Sequence, residues 1–196
     1  MRRRALLGLA VVLVAAGPEG PEAPIVAFNA GLLAGMKSGR AAPFATRAAA
    51  LAPVVERTFD LRTILQTSVG PGWGRFSVAQ QVDILAAFRA FTVASWVGNF
   101  DSFVGETLEI LPAGRKVGND EVVATRIVPP KGAATRLDYV MRQGPAGWQA
   151  VDILVDGAIS RVAVQRSDFR TLLKDGDPAA LIASLRDRAA GLAGKP

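Results

Sequence analysis

The chain has 196 residues, half of them hydrophobic, with 23 Lys and Arg against 17 Asp and Glu and with neither His nor Cys. That length accommodates one domain with a substantial apolar core, and the missing His and Cys exclude Ser-His-Asp and Cys-His catalysis, thiol redox chemistry and nearly all zinc and haem ligand sets. Setting aside Arg2, Arg3 and Arg4 leaves 20 basic residues against 17 acidic ones, a balance too even to point to nucleic acid or another strongly acidic partner.

Residues 1–16 read as a secretory signal. The three arginines form its charged start, Ala5 to Val14 its apolar run and Val14-Ala15-Ala16 a small-residue cleavage site. The run falls short of the roughly 20 apolar residues of a bilayer span; an uncleaved inner-membrane anchor is the alternative, and no Cys follows for lipid attachment. An exported chain without Cys has to be stable without disulfides. Residues 17–24, built from Gly, Pro, Glu and Ala, read as a linker, and 25–196 as a single domain.

Helices come first. Ile25, Phe28, Asn29, Leu32 and Met36 follow helical spacing until Ser38-Gly39 stops the turn. A second helical region carries Leu51, Val54 and Val55, with Pro53 expected to end one helix or start the next. Asp60 is an N-cap for a short helix through Leu65, and Val69 to Trp73 a loop. Ser77 with Gln80 forms a capping box for a helix to about Phe100, whose apolar arc holds Val78, Val82, Ile84, Leu85, Phe88, Phe91 and Trp96.

After Phe100 the period changes to that of strands. Glu106 to Leu111, Glu121 to Val128, Thr135 to Arg142 and Trp148 to Val155 are four short β-rich runs with turn residues between them, which predicts a four-stranded antiparallel meander. In the third run Leu137, Tyr139 and Met141 share one face, opposite Arg136, Asp138, Val140 and Arg142. The fourth is apolar apart from Gln149 and Asp152, so both of its faces are expected to be covered. Asp156-Gly157 breaks it, Val162, Arg166, Phe169 and Leu173 then recur at helical steps, and Asp177-Pro178 opens a last helix with Leu181, Ile182, Leu185 and Leu192. The fold class is α+β: N-terminal helices packed on a four-stranded antiparallel sheet, with a C-terminal helical segment.

For catalysis only carboxylate, Lys, Arg or Tyr chemistry remains. Glu106 and Glu109 point to opposite faces of a strand and make a poor acid/base pair. Asp138 and Asp152 each lie in a mostly apolar strand, where a buried carboxylate is a general acid or base or simply the partner of an arginine such as Arg126, Arg136 or Arg142.

Gly70 with Trp73, the helix start from Ser77 to Gln80, the pair Phe88 and Phe91, then Leu137, Tyr139, Gly147, Trp148, Asp152, Gly157, Arg166 and Phe169 form an ordered set across residues 25–190 that resembles the MlaC family of soluble periplasmic lipid carriers. Gly157-Ala158-Ile159-Ser160 stands where that pattern usually has Gly-Val-Ser, and the Asn-Tyr before its Arg-Ser-x-Phe is missing. Met36-Lys37, Thr58 to Leu61 and Leu137 to Arg142 look closer to the hopanoid-associated branch called HpnM. The resemblance implies a non-enzymatic carrier, without cofactor or metal, that shuttles a phospholipid or hopanoid between inner and outer membranes. Its partners would be an inner-membrane transporter, of ABC/MCE or RND type, and an outer-membrane complex.

Two acyl chains of about fifteen carbons cost on the order of 24 kcal/mol to hold in water at about 0.8 kcal/mol per methylene, so a carrier needs a dry cavity of matching extent. The candidates to line it are Phe88, Phe91 and Trp96 on the long helix and Leu137, Tyr139, Met141, Ile153 and Val155 on the sheet. A ligand-free periplasmic scaffold and an enzyme using Asp138 or Asp152 with Arg126 in a cone-shaped pocket are the alternatives.

Overall fold

The computed structural model describes residues 20–112, 114–173 and 176–194; the expected signal segment and the start of the linker lie outside them. The helices α1 (Ala23–Ser38), α2 (Phe44–Thr58), α3 (Leu61–Val69) and α4 (Val78–Asn99) precede the strands β1 (Thr107–Ile110), β2 (Arg115–Val117), β3 (Asp120–Val128), β4 (Thr135–Gly144), β5 (Gly147–Val155) and β6 (Ile159–Ser160). Helices α5 (Arg161–Leu172) and α6 (Ala179–Ala193) close the chain.

Local chemistry sets most helix ends. Gly39, at φ 56°, terminates α1, where a side chain would be strained. Asp60 accepts from the Thr63 backbone N–H at 2.9 Å and caps α3, which continues to Val69 rather than Leu65. Of Val69 to Trp73, expected as a loop, Val69 ends α3 and the rest falls in a 3-10 turn over Gly70–Arg75. Both arms of the Ser77–Gln80 capping box are made.

Pro53 neither ends nor starts a helix but sits inside α2. An interior proline forfeits a hydrogen bond and costs about 3 kcal/mol; here Leu51 and Val55, both buried in the core on either side of it, hold the helix through the defect.

The sheet has six strands, not four. Its order is β1-β3-β4-β5-β6, all antiparallel, with β2 paired to β3 alongside β1. The four expected runs form the meander as read. The additions are three and two residues long, and pairing with a neighbour makes strands of them rather than any pattern of their own: β2 is Arg-Lys-Val, exposed throughout, and β6 leads directly into α5. A bulge between β4 and β5 leaves Val151 as the extra residue, since Val140 pairs with Asp152 and Met141 with Ala150.

One face of the sheet carries the main core. Val123, Tyr139, Met141 and Ala150 meet Phe28 and Leu32 of α1, Leu65 of α3, Ile84 and Phe88 of α4, Phe169 of α5 and Leu181 and Leu185 of α6. Helix α6 lies on α4, where Gly98 has no side chain to keep out Leu192. On the opposite face Val122, Val140, Val151 and Leu154 form a smaller cluster, so β5 is apolar on both sides for a physical reason.

Candidate functional site

A cavity of about 490 Å³ opens between α4 and the end of the sheet where β4 begins and β5 finishes. From α4 and its C-cap residue Phe100 come Phe88, Phe91, Thr92, Ser95, Trp96, Asn99 and Phe100, a set spaced by three and four residues that therefore forms one stripe of the helix. Ile127, Leu137, Ile153 and Val155 face it from the sheet, Phe59, Leu61 and Ile64 from around the start of α3, and Arg161, Val162 and Gln165 from α5.

Depth sorts these side chains. Phe59 and Phe88 are buried and form the floor, while Asn99, Thr135 and Arg161 are exposed and ring the mouth. The interior is apolar even where its residues are not. Thr92 Oγ1 donates to the Phe88 carbonyl and Ser95 Oγ to the Phe91 carbonyl, each at 2.8 Å. Both hydroxyl protons are thus spent one turn back on their own helix, so an apolar occupant would leave neither without a partner.

Of the eight residues singled out in the sequence, the structure brings six to this cavity: Phe88, Phe91, Trp96, Leu137, Ile153 and Val155. Tyr139 and Met141 share the same sheet face but lie in the core, 2% and 0% exposed. Tyr139 meets the rings of Phe28 and Phe59 at about 6 Å. Ile127, Phe59 and Phe100 are lining residues the sequence reading passed over. Thr92 and Ser95 carried a usable signal, since they fall on the helical stripe that Phe88 begins.

The carboxylates considered for acid/base work have structural partners. Asp138 is fully buried and binds Arg136 twice, Nε donating to Oδ1 at 2.8 Å and Nη2 to Oδ2 at 2.9 Å; this pair stands outside the cavity wall. Asp152 does reach the wall, but its Oδ1 accepts the backbone N–H groups of Ile153 and Val162 and its Oδ2 the Ser160 hydroxyl. It ties β5 to the first turn of α5. Arg126 is engaged by Glu109 at 2.7 Å, and that bond holds the Glu109 carboxyl below its usual range. Among the described residues no cluster of three acidic side chains could hold a metal ion.

The family model described as MlaC protein matches residues 28–187. A solved structure, that of a phospholipid-binding protein from Ralstonia solanacearum in complex with a phospholipid, superposes with a TM-score of 0.75 at 22% identity, over 88% of this chain and 98% of that one. No curated protein matches the chain.

Proposed function

This chain belongs to the MlaC protein family, and we propose that it is a periplasmic carrier that holds a membrane lipid non-covalently by its hydrocarbon part and moves it between the inner and outer membranes. The observation that carries this reading is the apolar cavity floored by Phe59 and Phe88, with the Thr92 and Ser95 hydroxyls and the Asp152 carboxylate bonded within the protein and Asn99, Thr135 and Arg161 at the mouth. Hydrocarbon enters such a space without stranding a hydrogen-bonding group. The headgroup would rest at the Asn99, Thr135 and Arg161 rim, in water. No bond is made or broken, and release needs an acceptor that offers a competing apolar path.

Two cargo classes follow from different observations. The phospholipid bound by the Ralstonia protein favours a phospholipid; the segments that look like the HpnM branch favour a hopanoid. The partners of this reading are an inner-membrane lipid transporter, of ABC/MCE or RND type, and an outer-membrane complex. No described helix is long and apolar enough to cross a membrane.

Native mass spectrometry of protein purified from the periplasm, followed by organic extraction, tests the proposal. The expected result is close to one phospholipid or hopanoid per chain, which also separates the two classes. Ligand-free protein that takes up no lipid from vesicles would sink the carrier reading in favour of a scaffold.

A further inference from the structure

The chain leaves α4 at the mouth of the cavity. Asn99 stands at that mouth and Phe100, the next residue, lines the space behind it; residues 101–106 then cross to β1. This loop is tied down along its length. Asp101 binds Arg40 at 2.8 Å, the Val104 backbone N–H donates to Glu106 Oε2 at 2.8 Å, and Gly105, at φ 110°, packs so closely on Pro130 that a Cβ there would stand 3.0 Å from the proline ring. Between these ties two neighbouring apolar side chains remain in water: Phe103 is 37% exposed and Val104 72%.

Cations flank the tip. The Lys37 ammonium, in the last turn of α1, lies 5.3 Å from the centre of the Phe103 ring. Lys131 follows Pro130 in the turn between β3 and β4, and that turn lies beyond the paired residues Ile127 and Thr135, which themselves border the cavity. Both lysines are exposed, whereas the two carboxylates of the loop, Asp101 and Glu106, are half-buried and bonded to Arg40 and the Val104 N–H. Size decides what covers such a tip. A stable protein interface buries about 800 Å² on each partner, far more than the Phe103 and Val104 side chains expose. A bilayer asks for less: a few apolar groups at the acyl boundary and cations among anionic headgroups. We propose that the 101–106 loop, with Lys37 and Lys131, docks the molecule on an anionic bilayer with the cavity mouth against the headgroups. The purpose of this docking rests on the carrier reading above: a lipid leaving the cavity passes into the bilayer without crossing open water.

The chain has no Cys, so Val104→Cys takes a single environment-sensitive fluorophore at the tip. Val78→Cys, 79% exposed at the other end of α4, takes one about 30 Å away along the helix. When vesicles of phosphatidylglycerol and phosphatidylcholine are added to protein purified from the periplasm, the label at 104 should shift to the blue while the label at 78 keeps its emission. Replacing Phe103 and Val104 together with Ser should weaken vesicle binding about tenfold or more, and Lys37→Gln should weaken it about fivefold when phosphatidylglycerol is present. Melting temperatures should stay the same, since all three side chains are exposed. A label at 104 that stays in water overturns the proposal and leaves a protein as the partner of the loop; wild-type vesicle affinity in the double variant overturns it as well. Neither result touches the carrier reading, which fails separately if the protein neither carries nor takes up lipid.

Discussion

Tyr139 is the only tyrosine in the chain, and burial pushes its phenol far above the usual tyrosine range. The unfolded chain ionises near pH 10, so unfolding releases a proton once the pH exceeds that value. Stability from this residue is complete below about pH 10 and falls as the pH rises beyond it. Tyrosinate absorbance should therefore be missing from native protein at pH 11 and appear only on adding denaturant; its appearance in folded protein would refute the burial. Asp138 makes a second case. Replacing it with Ala leaves Arg136 without its bidentate partner and a buried gap behind it, so Asp138→Ala should lower stability by about 2–3 kcal/mol in urea unfolding. Lipid uptake by the folded variant should be unchanged, because Asp138 does not line the cavity.

At the level of elements, α4 does two jobs with one sequence: it anchors the core through Ile84 and Val97 and walls the cavity through Phe91 and Ser95. Its start was legible because a capping box is local chemistry. Ser77→Ala should lower the unfolding free energy by about 1 kcal/mol, read as a shift of the urea midpoint. The meander was legible for the same kind of reason, from alternating faces and short turns. What escaped were features decided elsewhere in the molecule. Strand β2 exists because β3 offers it an edge, and Pro53 stays helical because its neighbours are packed. The turn at Gly157 lies between these extremes. The break could be read from Asp156-Gly157, but not that a Cβ there would come within 3.0 Å of Arg136 Nε and 3.3 Å of Asp138 Oδ2. Gly157→Ala, at φ 73°, should accordingly cost about 1–3 kcal/mol. The cavity was legible as a face but not as a place along that face. A period of two puts Leu137, Tyr139 and Met141 on one side; only the packing of the helices over that face decides that Leu137 borders the cavity while Tyr139 meets the rings of Phe28 and Phe59 and Met141 is buried in the core.

For the molecule as a whole, the carrier reading makes the open space the working part. Thr92→Trp should fill it from α4, reducing lipid recovered with the purified protein at least tenfold without lowering the melting temperature; full lipid recovery would argue against this cavity. An unfilled apolar void costs about 24 cal/mol per Å³. For a space of about 490 Å³ that scale reaches on the order of 10 kcal/mol, as large as the whole folding free energy of an ordinary domain. A loaded and an unloaded chain would then differ in how firmly they are folded, and heat resistance would serve as a gauge of the load: delivering the cargo would leave behind a molecule marked as empty by its own looseness.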